Sequence, residues 1–158
     1  MPDITCADRF ATIAHDTADS IAVRHNETSL TYRELAGQAG GIAHLLTGCG
    51  IRPGDVVATV LDRSPLALAA MLGIWAAGAA YANIEPAEPD SRITRALPET
   101  EARVILADRA NARRVPGSVV LDDVTDAPYQ PVTGRAKGDL AYLAIVPSPT
   151  GAPKAVQV

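Results

Sequence analysis

Residues 55–84 read DVVATVLDRSPLALAAMLGIWAAGAAYANI, and this stretch restricts the fold more than any other. Its first seven residues, DVVATVL, follow Pro53 and Gly54 and show no polar alternation, which suits a strand buried on both faces. Ser64 then offers a side-chain oxygen as an N-cap, and Pro65 fills the first helical turn, where a missing N–H is no loss. The spacing predicts a helix through Ala77, a stop at Gly78 and a second strand in AAYANI. The run from Ser64 to Ile84 carries no charge, but its Ala and Gly content and the break at Gly78 argue for a buried helix followed by a strand, and against a membrane span.

The flanking sequence repeats the theme. In SLTYRELAGQAGGIAHLLTGCG, Thr31 and Glu34 stand at capping-box spacing, so each side chain can satisfy a free N–H at a helix start. Tyr32, Leu35, Ala36, Ala39, Ile42, Ala43 and Leu46 then recur at intervals of three and four, and the helix is expected to end between Gly48 and Gly50. After EPAEP, a short helix beginning at Asp90 or Ser91 is expected to stop before Pro98. RVILAD, SVVLDD and DLAYLAIV (residues 139–146) supply further strands, and VTDAPYQPVTGRAKG (residues 124–138) reads as a connection rich in turn formers. Strands and helices alternating at short intervals predict an α/β fold, a parallel, doubly wound flavodoxin- or Rossmann-like sheet with helices on both faces. No internal repeat and no second domain is evident.

At 158 residues with 47% hydrophobic and 20% charged side chains, the chain can bury one modest core. A formal charge of -4 without basic runs gives no electrostatic footprint for nucleic acid or an anionic membrane surface. Cys6 and Cys49 lack metal-ligand or redox spacing, and Asp3, Asp8 and Arg9 interrupt any apolar leader, so reduced thiols and a cytoplasmic location are expected. Gly48, Gly50 and Gly54 mimic a dinucleotide fingerprint, but they lie after a helix and before a strand, the reverse of what pyrophosphate binding needs. His15, His25 and His44 share no ligand spacing and read as solvated. Asp122, Asp123 and Asp126 read as a turn following a strand, and as metal ligands only secondarily.

The remaining candidate is VPSPTGAPKAVQV, residues 146–158, which sets Ser148, Thr150, Gly151 and Lys154 close together in the manner of a loop that grips phosphates. Here the sequence resembles the adenylate-forming enzymes, specifically the adenylation domains of nonribosomal peptide synthetases. LTYREL (residues 30–35) is similar to their first core motif, and residues 52–89 follow the segment GPGD-V-ERS-E-AML-ILKAGAAYVPLDP-YP. LAYLAIVPSPTGAPKA (residues 140–155) resembles their nucleotide loop, LAYxxYTSGSTGxPKG. The resemblance runs from about Phe10 to Val158 and implies the first subdomain of the adenylate-forming fold.

The departures from that pattern are chemical. Val146 stands where the family has a Thr hydroxyl. Pro147 and Pro149 replace residues that would each bring an N–H, and both fix φ near -65°. Ser148 replaces the glycine between them and is restricted by the proline that follows it. Ser148, Thr150, Gly151 and Lys154 therefore form a remnant phosphate loop, expected not to hold ATP or magnesium. Asn83 replaces a proline of the family's VPLDP, Glu85 keeps its acid, and Glu88 stands at the usual Tyr. The resemblance further implies that the amino-acid pocket, the ribose-holding Asp, the metal-binding Glu and the catalytic Lys of the lid all lie beyond Val158. The expectation is one truncated, catalytically silent adenylation-like domain over residues 1–158. Its expected partners are other synthetase domains, a tailoring protein, or a second copy meeting an uncovered subdomain surface. The alternative is the N-terminal part of an active amino-acid-adenylating enzyme, and a third is an unrelated flavodoxin-like ligand binder.

Overall fold

The structure, a computed structural model, describes residues 4–133, 139–146, 151 and 153–158. In chain order the elements are α1 (Cys6–Asp16), β1 (Ile21–His25), β2 (Thr28–Thr31), α2 (Tyr32–Gly48), β3 (Val56–Val60), α3 (Pro65–Ala76), β4 (Ala80–Asn83), α4 (Asp90–Glu99), β5 (Val104–Ala107), a 3₁₀ turn (Ala112–Arg114), β6 (Val119–Val120), β7 (Tyr142–Val146) and β8 (Lys154–Gln157). β1 and β2 form an antiparallel hairpin, and the other six strands make one sheet in the order β6-β5-β3-β4-β7-β8. Five of the six run parallel, as the alternation of strands and helices requires. β8 is antiparallel to β7.

Strand periodicity sorts the core into two faces. Val57 on β3 and Leu106 on β5 pack with Leu35, Ile42 and Leu46 of α2 and Ala69, Ala70 and Ile74 of α3. The alternate positions Ala58 and Val60 turn to the opposite side, where Ile93 and Ala96 of α4 join Ile84 and Ala82. Helices therefore cover both faces, and complete burial of a side chain such as Leu46 contributes about 1.5–3 kcal/mol.

Local signals explain the ends of the helices. Ser64 Oγ accepts the Ala67 N–H at 3.4 Å, with Pro65 at the first helical position of α3. At α2, Thr31 Oγ1 accepts the Glu34 N–H at 3.2 Å, and Glu34 Oε2 accepts the Thr31 N–H at 2.8 Å. The Thr31 N–H, and after it the Thr31 hydroxyl donating to Glu34 Oε2 at 3.0 Å, hold the Glu34 carboxyl below the usual carboxylate range. Because that pKa is lowered on folding, the stabilisation is full above the ordinary glutamate range and is lost as pH falls through the folded value. Thr31→Ala is expected to cost about 1 kcal/mol in urea denaturation. The advantage of the parent over Glu34→Ala should shrink on acidification, and a difference independent of pH would contradict the capping assignment.

α4 differs from expectation, because it continues through Pro98 to Glu99. Pro98 sits in the last turn, where the chain already tightens: Thr100 N–H donates to Leu97 O at 3.1 Å and Thr100 Oγ1 to the same carbonyl at 2.7 Å. A proline there forgoes a single intrahelical bond and leaves the preceding turns intact.

Residues 124–132 do more than connect. This segment lies over α2 and α3 as a strap, with Ala127 N–H donating to Gly37 O at 3.1 Å and Val132 N–H to Ala76 O at 2.9 Å. Tyr129 donates its hydroxyl to Leu72 O at 3.0 Å and meets Phe10 edge-on at 5.0 Å. Burial pushes the Tyr129 phenol far up, so it remains a neutral donor. The close approach depends on Gly40 and Gly41, whose missing side chains leave room for strap carbonyls.

Candidate functional site

The carboxyl ends of parallel strands are where open α/β sheets place ligands. Here a cavity of about 270 Å³ lies at the ends of β4 and β7, walled on one side by α4 and on the other by the β7–β8 hairpin. Asn83 ends β4 in register with Thr59 of β3, and its Oδ1 accepts the buried Thr59 hydroxyl at 3.2 Å. The residue that replaces the expected proline thus continues the strand and satisfies a core hydroxyl. Tyr142 of β7 stacks on Tyr81 of β4, with ring centroids 5.8 Å apart. Burial raises the Tyr81 phenol above its ordinary range. Trp75 donates its indole N–H to Ala141 O at 2.9 Å, tying α3 to the start of β7.

β7 and β8 bring together the two ends of the segment that resembles a phosphate loop. Val146 pairs with Lys154 and Ile145 with Ala155, so the connection leaves and re-enters the sheet at one place. Gly151 has φ +83°, a backbone state open to glycine at little cost, and it lines the cavity. Lys154 opens β8, is exposed, and makes no ion pair among the described residues. Ser148 and Thr150, together with Pro147 and Pro149, lie outside the described residues.

The other candidates from sequence fall apart in space. Gly50 and Gly54 take φ +81° and +93° in the turn between α2 and β3, with open space around them. His15 pairs with its neighbour Asp16, His25 is half-buried and His44 is exposed. Asp122 accepts the Arg109 N–H at 2.7 Å and Asp123 pairs with the Arg109 guanidinium, which makes the acidic knot a turn with local partners. Among the described residues no three His, Cys, Asp or Glu side chains are grouped to hold a metal ion, and no helix is long and apolar enough to cross a membrane. Cys6 and Cys49 are exposed free thiols.

Sequence reasoning missed the α4 wall. Arg92 pairs with Glu88 at 3.3 Å, and Arg95 lies three residues further along the same helix, both facing the cavity. Their i, i+3 spacing behind Glu85 and Glu88 was a legible signal. The lining therefore carries two guanidinium groups and two carboxylates, without a net charge from these four.

Comparison with known proteins adds what geometry leaves open. The family model for AMP-binding enzymes matches residues 10–158. The chain belongs to the AMP-binding enzyme family. Among curated AMP-binding relatives, it is 41% identical over 97% of its length to N-(5-amino-5-carboxypentanoyl)-L-cysteinyl-D-valine synthase of Amycolatopsis lactamdurans. It is 34% identical over 94% of its length to malpinin synthetase of Mortierella alpina. The chain spans only 4% and 2% of the length of those two proteins. Among solved structures, the nonribosomal peptide synthetase FmoA3 in its AMPPNP-bound form superimposes with a TM-score of 0.85 at 33% identity, covering 99% of this chain and 17% of that one. The N-terminal subdomain of Klebsiella oxytoca NpsA superimposes with a TM-score of 0.79 at 26% identity, covering 98% and 40%. This member of the AMP-binding enzyme family therefore has the mostly parallel sheet seen in the N-terminal subdomain of synthetase adenylation domains.

Proposed function

We propose that this chain is a catalytically silent adenylation-like unit of a nonribosomal peptide synthetase pathway, serving as a structural or interaction module. The carrying observation is a hairpin that keeps its frame while its loop has lost donors. Gly151 retains the left-handed turn and Lys154 retains its place at the head of β8. Between them and β7, Pro147 and Pro149 have no N–H to offer, and Val146 ends β7 with methyl groups where a hydroxyl would serve. Phosphate loops work by pointing several N–H groups at one anion, and this donor set does not fit a triphosphate.

A thermal-shift titration with ATP and magnesium tests this reading. No stabilisation is expected at millimolar nucleotide, and a shift of several degrees would overturn it. The module role predicts association with other synthetase domains, with a tailoring protein or with a second copy. Light scattering behind size exclusion reads this out, and a clean monomer that also ignores neighbouring domains counts against it.

A second reading is supported by the likeness to the AMPPNP-bound synthetase over 99% of this chain: the chain is the N-terminal part of an active amino-acid-adenylating enzyme. Pyrophosphate exchange with candidate amino acids, with and without a downstream synthetase polypeptide, separates the two. Activity on mixing supports the second reading and ends the first.

A further inference from the structure

Arg114, in the 3₁₀ turn after β5, directs most of its guanidinium bonds to one segment, Pro86–Asp90. Its Nε donates to Asp90 Oδ1 at 2.6 Å, Nη1 to Pro86 O at 2.7 Å and Asn111 Oδ1 at 3.0 Å, and Nη2 to Glu88 O at 2.7 Å. Its side chain is only 27% exposed. Asn111, 4% exposed, passes the contact on: its Nδ2 donates to Asp108 Oδ1 at 2.8 Å and Asp62 Oδ1 at 3.3 Å. Asp108 Oδ2 in turn accepts the Asp62 N–H at 2.8 Å. One network therefore links the residues just beyond β3, β4 and β5.

We propose that Arg114 is the positioning residue of the cavity, fixing the Pro86–Asp90 segment that sets Glu85, Glu88 and Arg92 against the β7–β8 hairpin. The two carbonyls it holds belong to a segment with few ties of its own, since Pro86 and Pro89 have no N–H and Glu88 N–H reaches only Glu85 O. A planar fork with five donors can span two carbonyls, a carboxylate and an amide oxygen at once. A lysine ammonium has three donors at one point and cannot.

Hydrogen exchange on the whole chain tests this, comparing the parent with Arg114→Lys and with the milder Asp90→Asn. The amides of Glu88, Arg92 and Ile93 close this segment and the first turn of α4, so they report its position. Loss of charge-assisted bonds is expected to speed their exchange by roughly tenfold to a hundredfold in Arg114→Lys, and by less in Asp90→Asn. The amides of β3 and α2 should keep the parent's rates, and the urea midpoint should move little. Unchanged rates at 88, 92 and 93, or an equal rise in β3, would overturn the assignment, the latter showing a merely structural part.

A second arm rests on the proposed function and uses ATP as the probe, in a chain carrying Val146→Thr, Pro147→Ser, Ser148→Gly and Pro149→Ser. Adding Arg114→Lys is expected to weaken ATP binding about tenfold, as loss of one charge-assisted bond would. Equal affinity in both backgrounds would overturn the positioning role. If the loop-restored chain binds no ATP at all, the reading of the loop fails, and the exchange rates still decide Arg114.

Discussion

Changing Val146, Pro147, Ser148 and Pro149 together to Thr, Ser, Gly and Ser is expected to raise ATP affinity by about two to four decades. The figure follows from regaining two hydrogen bonds to a charged phosphate, each about 1.5–3 kcal/mol. Each Pro→Ser change restores one N–H and adds a hydroxyl, while Ser148→Gly returns the backbone freedom that a wrapping loop needs. The frame is already present, since Val146 and Lys154 pair across the hairpin and Gly151 holds φ +83°. Val146→Thr alone should gain about a decade at most, because it adds one hydroxyl at a strand end. Isothermal titration with magnesium and ATP measures the series. A folded quadruple variant that binds no better than the parent would remove the donor argument.

Gly40→Ala is expected to destabilise the chain by about 1–5 kcal/mol. An added Cβ would stand 2.0 Å from Ala127 O and 2.6 Å from Pro128 O, both backbone atoms that cannot rotate aside. Alanine gains about 1 kcal/mol of helix propensity over glycine, but overpacking costs about 1–3 kcal/mol. Lifting the strap also strips Tyr129 and Leu72 of their hydrogen bond, which adds about 1–3 kcal/mol if the groups stay buried. Gly48→Ala is the internal control: it lies in the same helix with nothing within 4 Å, and it should be neutral or stabilising by a few tenths of a kcal/mol. Urea midpoints compare the two, and similar values for Gly40→Ala and Gly48→Ala would refute the strap contact.

Much of the fold was legible because its signals are local. Ser64 with Pro65, and Thr31 with Glu34, start α3 and α2 where their side chains meet free N–H groups, and the β-branched run in β3 announces a strand covered on both faces. Nonlocal partners were not legible. Nothing near Gly40 indicates that a carbonyl 87 positions later rests on it. β8 runs antiparallel because Lys154 pairs back on Val146 of β7, and the short segment KAVQ gives no periodicity to read. The α1 helix escaped notice although Thr5 and Asp8 form a full capping box. In the site, the missing N–H groups at Pro147 and Pro149 could be read from the sequence directly, whereas the contacts of Arg114 depend on three strand ends meeting in space.

The strap has a consequence for where damage is felt. β6 lies at one border of the six-stranded sheet and β7 nearly at the other, and residues 124–132 on the way between them travel over the outside of α2 and α3. The hairpin half of the sheet is thereby belted to the remainder, with Tyr129 as its buckle. Genetic lesions along that route would loosen the β7–β8 half of the sheet while leaving every residue of that hairpin untouched.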